Sequence, residues 1–196
     1  MTLTRFSGFI AAVLFFGASA SATAEAAIIP FGSDLQAEAA AATGSGSVLV
    51  EYDDVERTLR IFATWSGLSG ATTVAHIHCC TSLPEAGTVG VAVTPGTLPG
   101  FPTGVTAGTY VSPLIDLDVA GSFTSTFIAF GGGTTSGAIN ALLVGMESGT
   151  AYFNIHTSVF PAGEIRGFLH RVPEPAPWSL ALLGLIAMVA ARRRRH

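Results

Sequence analysis

Short runs in which apolar and polar residues alternate recur through the middle of the chain, each bounded by Gly, Pro or Asp, and this pattern predicts an all-β domain. SVLVEYD (47–53) and TLRIFATW (58–65) predict a hairpin with an exposed acidic turn. Leu59, Ile61, Ala63 and Trp65 fall on one face of its second strand, Arg60 and Thr64 on the other. TTVAHIHC (72–79) predicts a further strand, in which Val74, His76 and His78 share one side while Ala75 and Ile77 share the opposite one. From Thr81 to Thr109 the pattern is irregular, with Pro84, Pro95, Pro99 and Pro102 and one short strand at VGVAV (89–93). A connection of that length inside a compact domain is more often functional or partner-facing than neutral. TYVSPLIDL (109–117) and SFTSTFIAF (122–130) predict strands, and SGAINALLVGMESG (136–149) shows helical spacing, with Ile139, Leu142, Leu143 and Met146 as its core stripe. AYFNIHTS (151–158) and EIRGFLHR (164–171) then close the sheet, with Tyr152, Asn154 and His156 on one side and Phe153 and Ile155 on the other. The expected architecture is an antiparallel, Greek-key-like β-sandwich with one short helix.

Two terminal segments fall outside this pattern. Residues 1–26 begin with a single arginine, continue in the apolar run FSGFIAAVLFF and end in the small-residue stretch ASASATAEAA, the layout of a cleaved signal peptide. Residues 172–196 hold Pro173, Glu174 and Pro175, an apolar stretch of about 15 residues that is short for a membrane span, and then Arg192, Arg193, Arg194 and Arg195. Arginines after an apolar segment stay cytoplasmic, which places the preceding domain on the far side of the membrane. The remaining residues, 27–171, suffice for one domain with a real core.

Charge narrows the function classes. Between Ala27 and Val172 there are 11 acidic residues and four arginines, hence 4 − 11 = −7, and the chain contains no lysine. An acidic domain without a basic stripe is a poor ligand for nucleic acid. The GGG at 131–133 lacks the Lys-Ser or Lys-Thr of a phosphate-binding loop, and the chain shows no serine triad or spaced carboxylate pair, so no catalytic residues are expected.

The C-terminal order of Pro-Glu-Pro, short apolar helix and arginine cluster resembles the PEP-CTERM sorting signal of Gram-negative bacteria. That resemblance implies processing by a membrane-embedded exosortase in exopolysaccharide-producing cells, while the N-terminal signal-peptide layout predicts cleavage by signal peptidase at the other end. The chain would be anchored transiently in the inner membrane and then pass to the cell surface, outer envelope or extracellular matrix. HIH (76–78), NIHT (154–157) and GEIRG (163–167) resemble the CHRD domain first known from chordin, over roughly residues 30–171. This second resemblance implies an extracellular β-sandwich-like domain without a defined activity. Many members follow HIH with Gly-Pro, whereas this chain has Cys79, Cys80 and Thr81.

The chemistry of the middle lies in its histidines and cysteines. His-x-His on a strand sets two imidazoles on one side about 6.5 to 7 Å apart at the backbone, close enough to share an ion, with His156 as a third ligand and copper or zinc as the metal. Copper–zinc superoxide dismutase also uses a His-x-His strand, but its further ligands have no counterpart here, so dismutase activity is not expected. The alternative is structural: His76 or His78 hydrogen-bonded to Asn154 or Glu164, holding strand register. Cys79 and Cys80, in an exported protein, allow a vicinal disulfide, a link to another chain, or two thiolates joining the histidines on a soft metal. Glu164 and Arg166 share a side and either brace the sheet or contact a ligand. HIHCCTSLPEAG (76–87) and NIHTSVFPAG (154–163) echo each other, which predicts two similar strand-to-turn corners. The expected function is a non-enzymatic, exported binding or structural protein whose partner is an exopolysaccharide or envelope protein. The alternative is a metal-binding, redox-active domain on His76, His78 and His156.

Overall fold

The computed structural model describes residues 27–173; the predicted signal peptide, Glu174, Pro175, the apolar stretch and the arginine cluster lie outside the described residues. The chain runs β1 (Ile28–Ala37), β2 (Ser45–Asp53), β3 (Thr58–Ser66), β4 (Thr72–His78), β5 (Val91–Val93), β6 (Gly108–Val111) and β7 (Ile115–Asp116). A 3₁₀ turn (Ala120–Ser122), two helices, α1 (Ser125–Phe130) and α2 (Thr135–Glu147), and β8 (Tyr152–Thr157), β9 (Ile165–Phe168) and β10 (His170–Arg171) follow. None of these helices is long and apolar enough to cross a membrane.

The all-β expectation holds, but the two stacked sheets of a sandwich are replaced by one antiparallel sheet in the order β5-β4-β8-β9-β1-β2-β3-β6, curled into a half-barrel. The reason lies in β1, which pairs with β2 from Ile28 to Leu35 and, on its other edge, with β10 at Phe31 and Gly32 and with β9 at Gln36 and Ala37. One strand thereby joins what would otherwise be two sheets. Its sequence, IIPFGSDLQA, carries Pro, Gly and Asp, which mask the strand pattern.

Inside the curl lies a single core, to which β3 contributes Leu59, Ile61, Ala63 and Trp65, β4 Ala75 and Ile77, β8 Phe153 and Ile155, and α2 Leu142 and Met146. The predicted hairpin, the β4 faces and α2 appear as expected. SFTSTFIAF does not form a strand: Thr124 caps a short helix by accepting a hydrogen bond from the Phe127 amide, and Phe123 and Phe127, four residues apart, turn together into the core. TYVSPLIDL breaks into β6 and β7 around Pro113, which has no amide hydrogen to donate. Beside the break, Ser112 Oγ takes over as acceptor for the Ile61 amide at 2.8 Å.

Residues 81–107 run along the open edge of β4, and Ala92, Val93, Leu98 and Phe101 of this segment join the core. Leu98 donates its amide to Ala75 O and Gly104 donates to Thr72 O. Ala75 to His78 of β4 and all six residues of β8 are buried. The two echoed segments become antiparallel neighbours, so their similar corners lie at opposite ends of the pair.

Candidate metal centre

Strand register brings the three predicted ligands together. In the β4–β8 ladder His76 stands opposite Asn154, Val74 opposite His156 and His78 opposite Tyr152. Alternation then puts His76, His78, Asn154, His156 and Tyr152 on one face, turned away from the apolar core. The histidines are only 7–8% exposed, and each offers a nitrogen such that all three atoms lie within 4.8 Å of one another. His76 Nδ1 and His156 Nε2 are 3.5 Å apart, close to the spacing of two ligands about 2.0 Å from a shared ion.

Backbone carbonyls decide which nitrogen of each ring is free. His76 Nε2 lies 3.0 Å from Gly96 O, His78 Nδ1 2.8 Å from Val89 O and His156 Nδ1 2.9 Å from Pro161 O. A carbonyl oxygen only accepts, so each of these nitrogens carries the hydrogen and donates it. In neutral rings the lone pairs then sit on His76 Nδ1, His78 Nε2 and His156 Nε2. His78 Nε2 has no hydrogen-bond partner among the described residues. Each ring thus donates one N–H to a carbonyl and keeps its other nitrogen as an acceptor, an arrangement typical of metal-binding imidazoles.

Burial favours the neutral state. It pushes the pKa of His78 down to about 4, with smaller contributions from His156, His76 and Arg166, against the opposing effect of the Val89 carbonyl. Burial also lowers His76, with His156 adding to the effect and the Gly96 carbonyl opposing it. The His78 ring stacks on Tyr152 with centroids 4.8 Å apart, and the Arg166 guanidinium lies 5.1 Å from the centroid of the same tyrosine ring.

The hydrogen bonds anticipated from the histidines to Asn154 or Glu164 do not form. Asn154 instead donates through Nδ2 to Glu38 Oε2 at 2.7 Å, which fixes its amide orientation because a carboxylate only accepts; its Oδ1 is buried without a partner. Glu38 in turn pairs with Arg166 Nη1 at 3.1 Å, and Arg166 also donates to Gly87 O. Glu164 is separate from Arg166 and fully buried. Its carboxylate accepts from the Ser69 and Gly70 amides and from Thr157 Oγ1, tying the β3–β4 turn to the end of β8. Burial raises its pKa, yet the hydrogen bonds from Thr157, Ser69 and Gly70 together outweigh that, and the carboxyl lies below its ordinary value. Both residues brace the sheet, through different partners.

Cys79 and Cys80 form a vicinal disulfide, the first of the three pairings the sequence allowed. Their sulfurs pack against α2 near Ala141 O, on the side where Gly145 leaves room: a Cβ there would overlap both sulfur atoms. Among the predicted sorting residues only Pro173 is described, and it is exposed. His170 lies apart from the centre, 3.7 Å from Glu85. The carbonyls of Val89, Gly96 and Pro161 and the carboxylate of Glu38 escape sequence reasoning, since a backbone acceptor carries no side-chain signature. The length of the 81–109 connection hinted at Val89 and Gly96 alone.

No curated protein and no solved structure matches the chain. The CHRD domain model matches residues 31–169, a span that includes all three histidines, Asn154, Glu164 and Arg166. The chain belongs to the CHRD domain family.

Proposed function

We propose that this is an exported binding protein whose CHRD domain holds one transition-metal ion, copper or zinc, on His76, His78 and His156. The observation that carries it is the convergence of three buried ring nitrogens within 4.8 Å of one another, in rings whose other contacts are to backbone carbonyls that take up one hydrogen each. In neutral rings such an arrangement is repulsive, and a cation relieves it. CHRD family membership supports a secreted or extracellular setting. The ligand set would be His76 Nδ1, His78 Nε2 and His156 Nε2, and the metal would supply a Lewis-acidic centre at the covered face of the sheet. The role proposed is binding rather than catalysis.

Export itself is proposed from the chain ends. An exosortase is the processing partner at Pro173, Glu174 and Pro175, with final residence in the envelope or matrix. The test for the metal is elemental mass spectrometry on the exported protein purified without chelator, beside a His76→Ala/His78→Ala variant. About one metal per wild-type chain and none in the variant is expected; two metal-free, folded proteins would end the metal reading. The test for sorting is fractionation of an epitope-tagged chain, where full-length protein retained in the cytoplasm would end that part.

A further inference from the structure

Resting on that metal reading, we infer that the site selects a monovalent soft ion, copper in its cuprous state, over Zn(II). Four observations lead there. First, the ligand set is electrically neutral: the carbonyl contacts put one hydrogen on each ring, and among the described residues no carboxylate or thiolate joins the three nitrogens.

Second, the nearby acids are engaged elsewhere. Glu38 accepts from Asn154 and pairs with Arg166, and Glu164 accepts from Thr157 and two backbone amides. Third, both sulfurs are joined in the disulfide and packed on α2, so neither adds negative charge to the site. Fourth, the centre is buried, and the guanidinium of Arg166 lies over the ring on which His78 stacks.

Charge burial then discriminates between ions. The solvation energy lost on burying an ion rises with the square of its charge, so a dication among neutral ligands loses about four times as much as a monocation of the same size. A zinc ion on three neutral imidazoles keeps its full charge unless a hydroxide completes a tetrahedral shell. Cuprous ion needs no anion, and three imidazoles satisfy it. Where copper is divalent, it still exceeds zinc in affinity for nitrogen ligands. Copper therefore leads in either oxidation state, and the neutral, buried setting places the cuprous form first.

Silver(I) provides a monovalent probe that requires no reductant and leaves the disulfide oxidised. The experiment titrates the exported, ¹⁵N-labelled protein at pH 7 with Ag(I), then with Cu(I) under ascorbate against a chromogenic cuprous chelator, and in parallel with Zn(II). The histidine ring nitrogens are followed by NMR. One Ag(I) per chain is expected, displaced by Cu(I), with binding at least ~100-fold tighter than Zn(II). The ¹⁵N shifts should report metal on Nδ1 of His76 and on Nε2 of His78 and His156. That readout uses the wild-type chain, so it does not depend on a variant that folds. A Cys79→Ser/Cys80→Ser variant should bind Ag(I) as the wild type does; loss of binding there would transfer the site to sulfur and overturn the inference. Zn(II) affinity equal to or above that of Cu(I) would overturn the selectivity while leaving the metal site standing. Retention of none of these ions would overturn both.

Discussion

His76 Nδ1 faces His156 Nε2 at 3.5 Å across the β4–β8 ladder, and the outer nitrogen of each ring already donates its hydrogen to a backbone carbonyl. Two acceptors thus meet in a buried space. Either an added proton or a metal ion resolves that contact, and the two differ in measurable ways.

Metal binding should stabilise the domain by mass action. At a free metal concentration about 100 times the dissociation constant the gain is about 2.7 kcal/mol, which for a domain of this size corresponds to a rise in melting temperature of roughly 9 °C. Calorimetry on chelator-treated protein with and without added copper checks this. The rise should vanish in His156→Ala, and an equal rise in that variant would locate the ion elsewhere.

Acid should weaken the metal-free protein through His78. Its folded pKa, about 4, lies below the unfolded value of 6.5, so the unfolded chain takes up the proton first as pH falls. Stability is then full above about pH 6.5, declines between about 6.5 and 4, and levels off below; the loss is about 3 kcal/mol from this residue. Urea midpoints measured from pH 8 to pH 4 should trace that decline, and His78→Gln should make it shallower, the lowered pKa values of His76 and Glu164 leaving a residual slope. Identical pH slopes for the two proteins would contradict the burial argument.

Glu164→Gln should destabilise the fold by about 3 kcal/mol at neutral pH, because a buried acceptor of three hydrogen bonds is replaced by a group that brings hydrogens of its own. The wild-type carboxyl has a lowered pKa, so its contribution is present above about pH 4.5 and is lost as pH falls through the folded value. Variant and wild type should therefore converge in stability under acid. A chemical denaturation series reads both effects.

Gly145→Ala reverses the usual rule. In a helix interior the exchange normally adds about 1 kcal/mol of stability, but here the new Cβ would overlap the sulfurs of Cys79 and Cys80, and overpacking of that kind costs about 1–3 kcal/mol. The same exchange in a Cys79→Ala/Cys80→Ala background should be neutral or stabilising. Thermal unfolding of the four proteins gives the coupling directly, and additive effects would show that the disulfide is not what excludes a side chain at 145.

Much of the fold was legible wherever the period of the side chains is a local property. The β2–β3 hairpin and α2 follow from spacing alone, as does the shared side of His76 and His78. β1 was hidden by Pro30, Gly32 and Asp34, and α1 by a Thr-rich run whose cap, Thr124, shows only once its side chain meets the Phe127 amide.

What the sequence determined by itself is direction: two strand histidines point the same way because a pleated backbone repeats every two residues. What only the tertiary structure decided is encounter. The meeting of His76 with His156, 80 residues apart, depends on the register of β4 against β8, and the choice of free nitrogen depends on carbonyls brought beside the rings by the long connection and by the β8–β9 turn. Both arise from long-range pairing and loop closure, where the free energy belongs to the folded ensemble of contacts and no local stretch of residues records it.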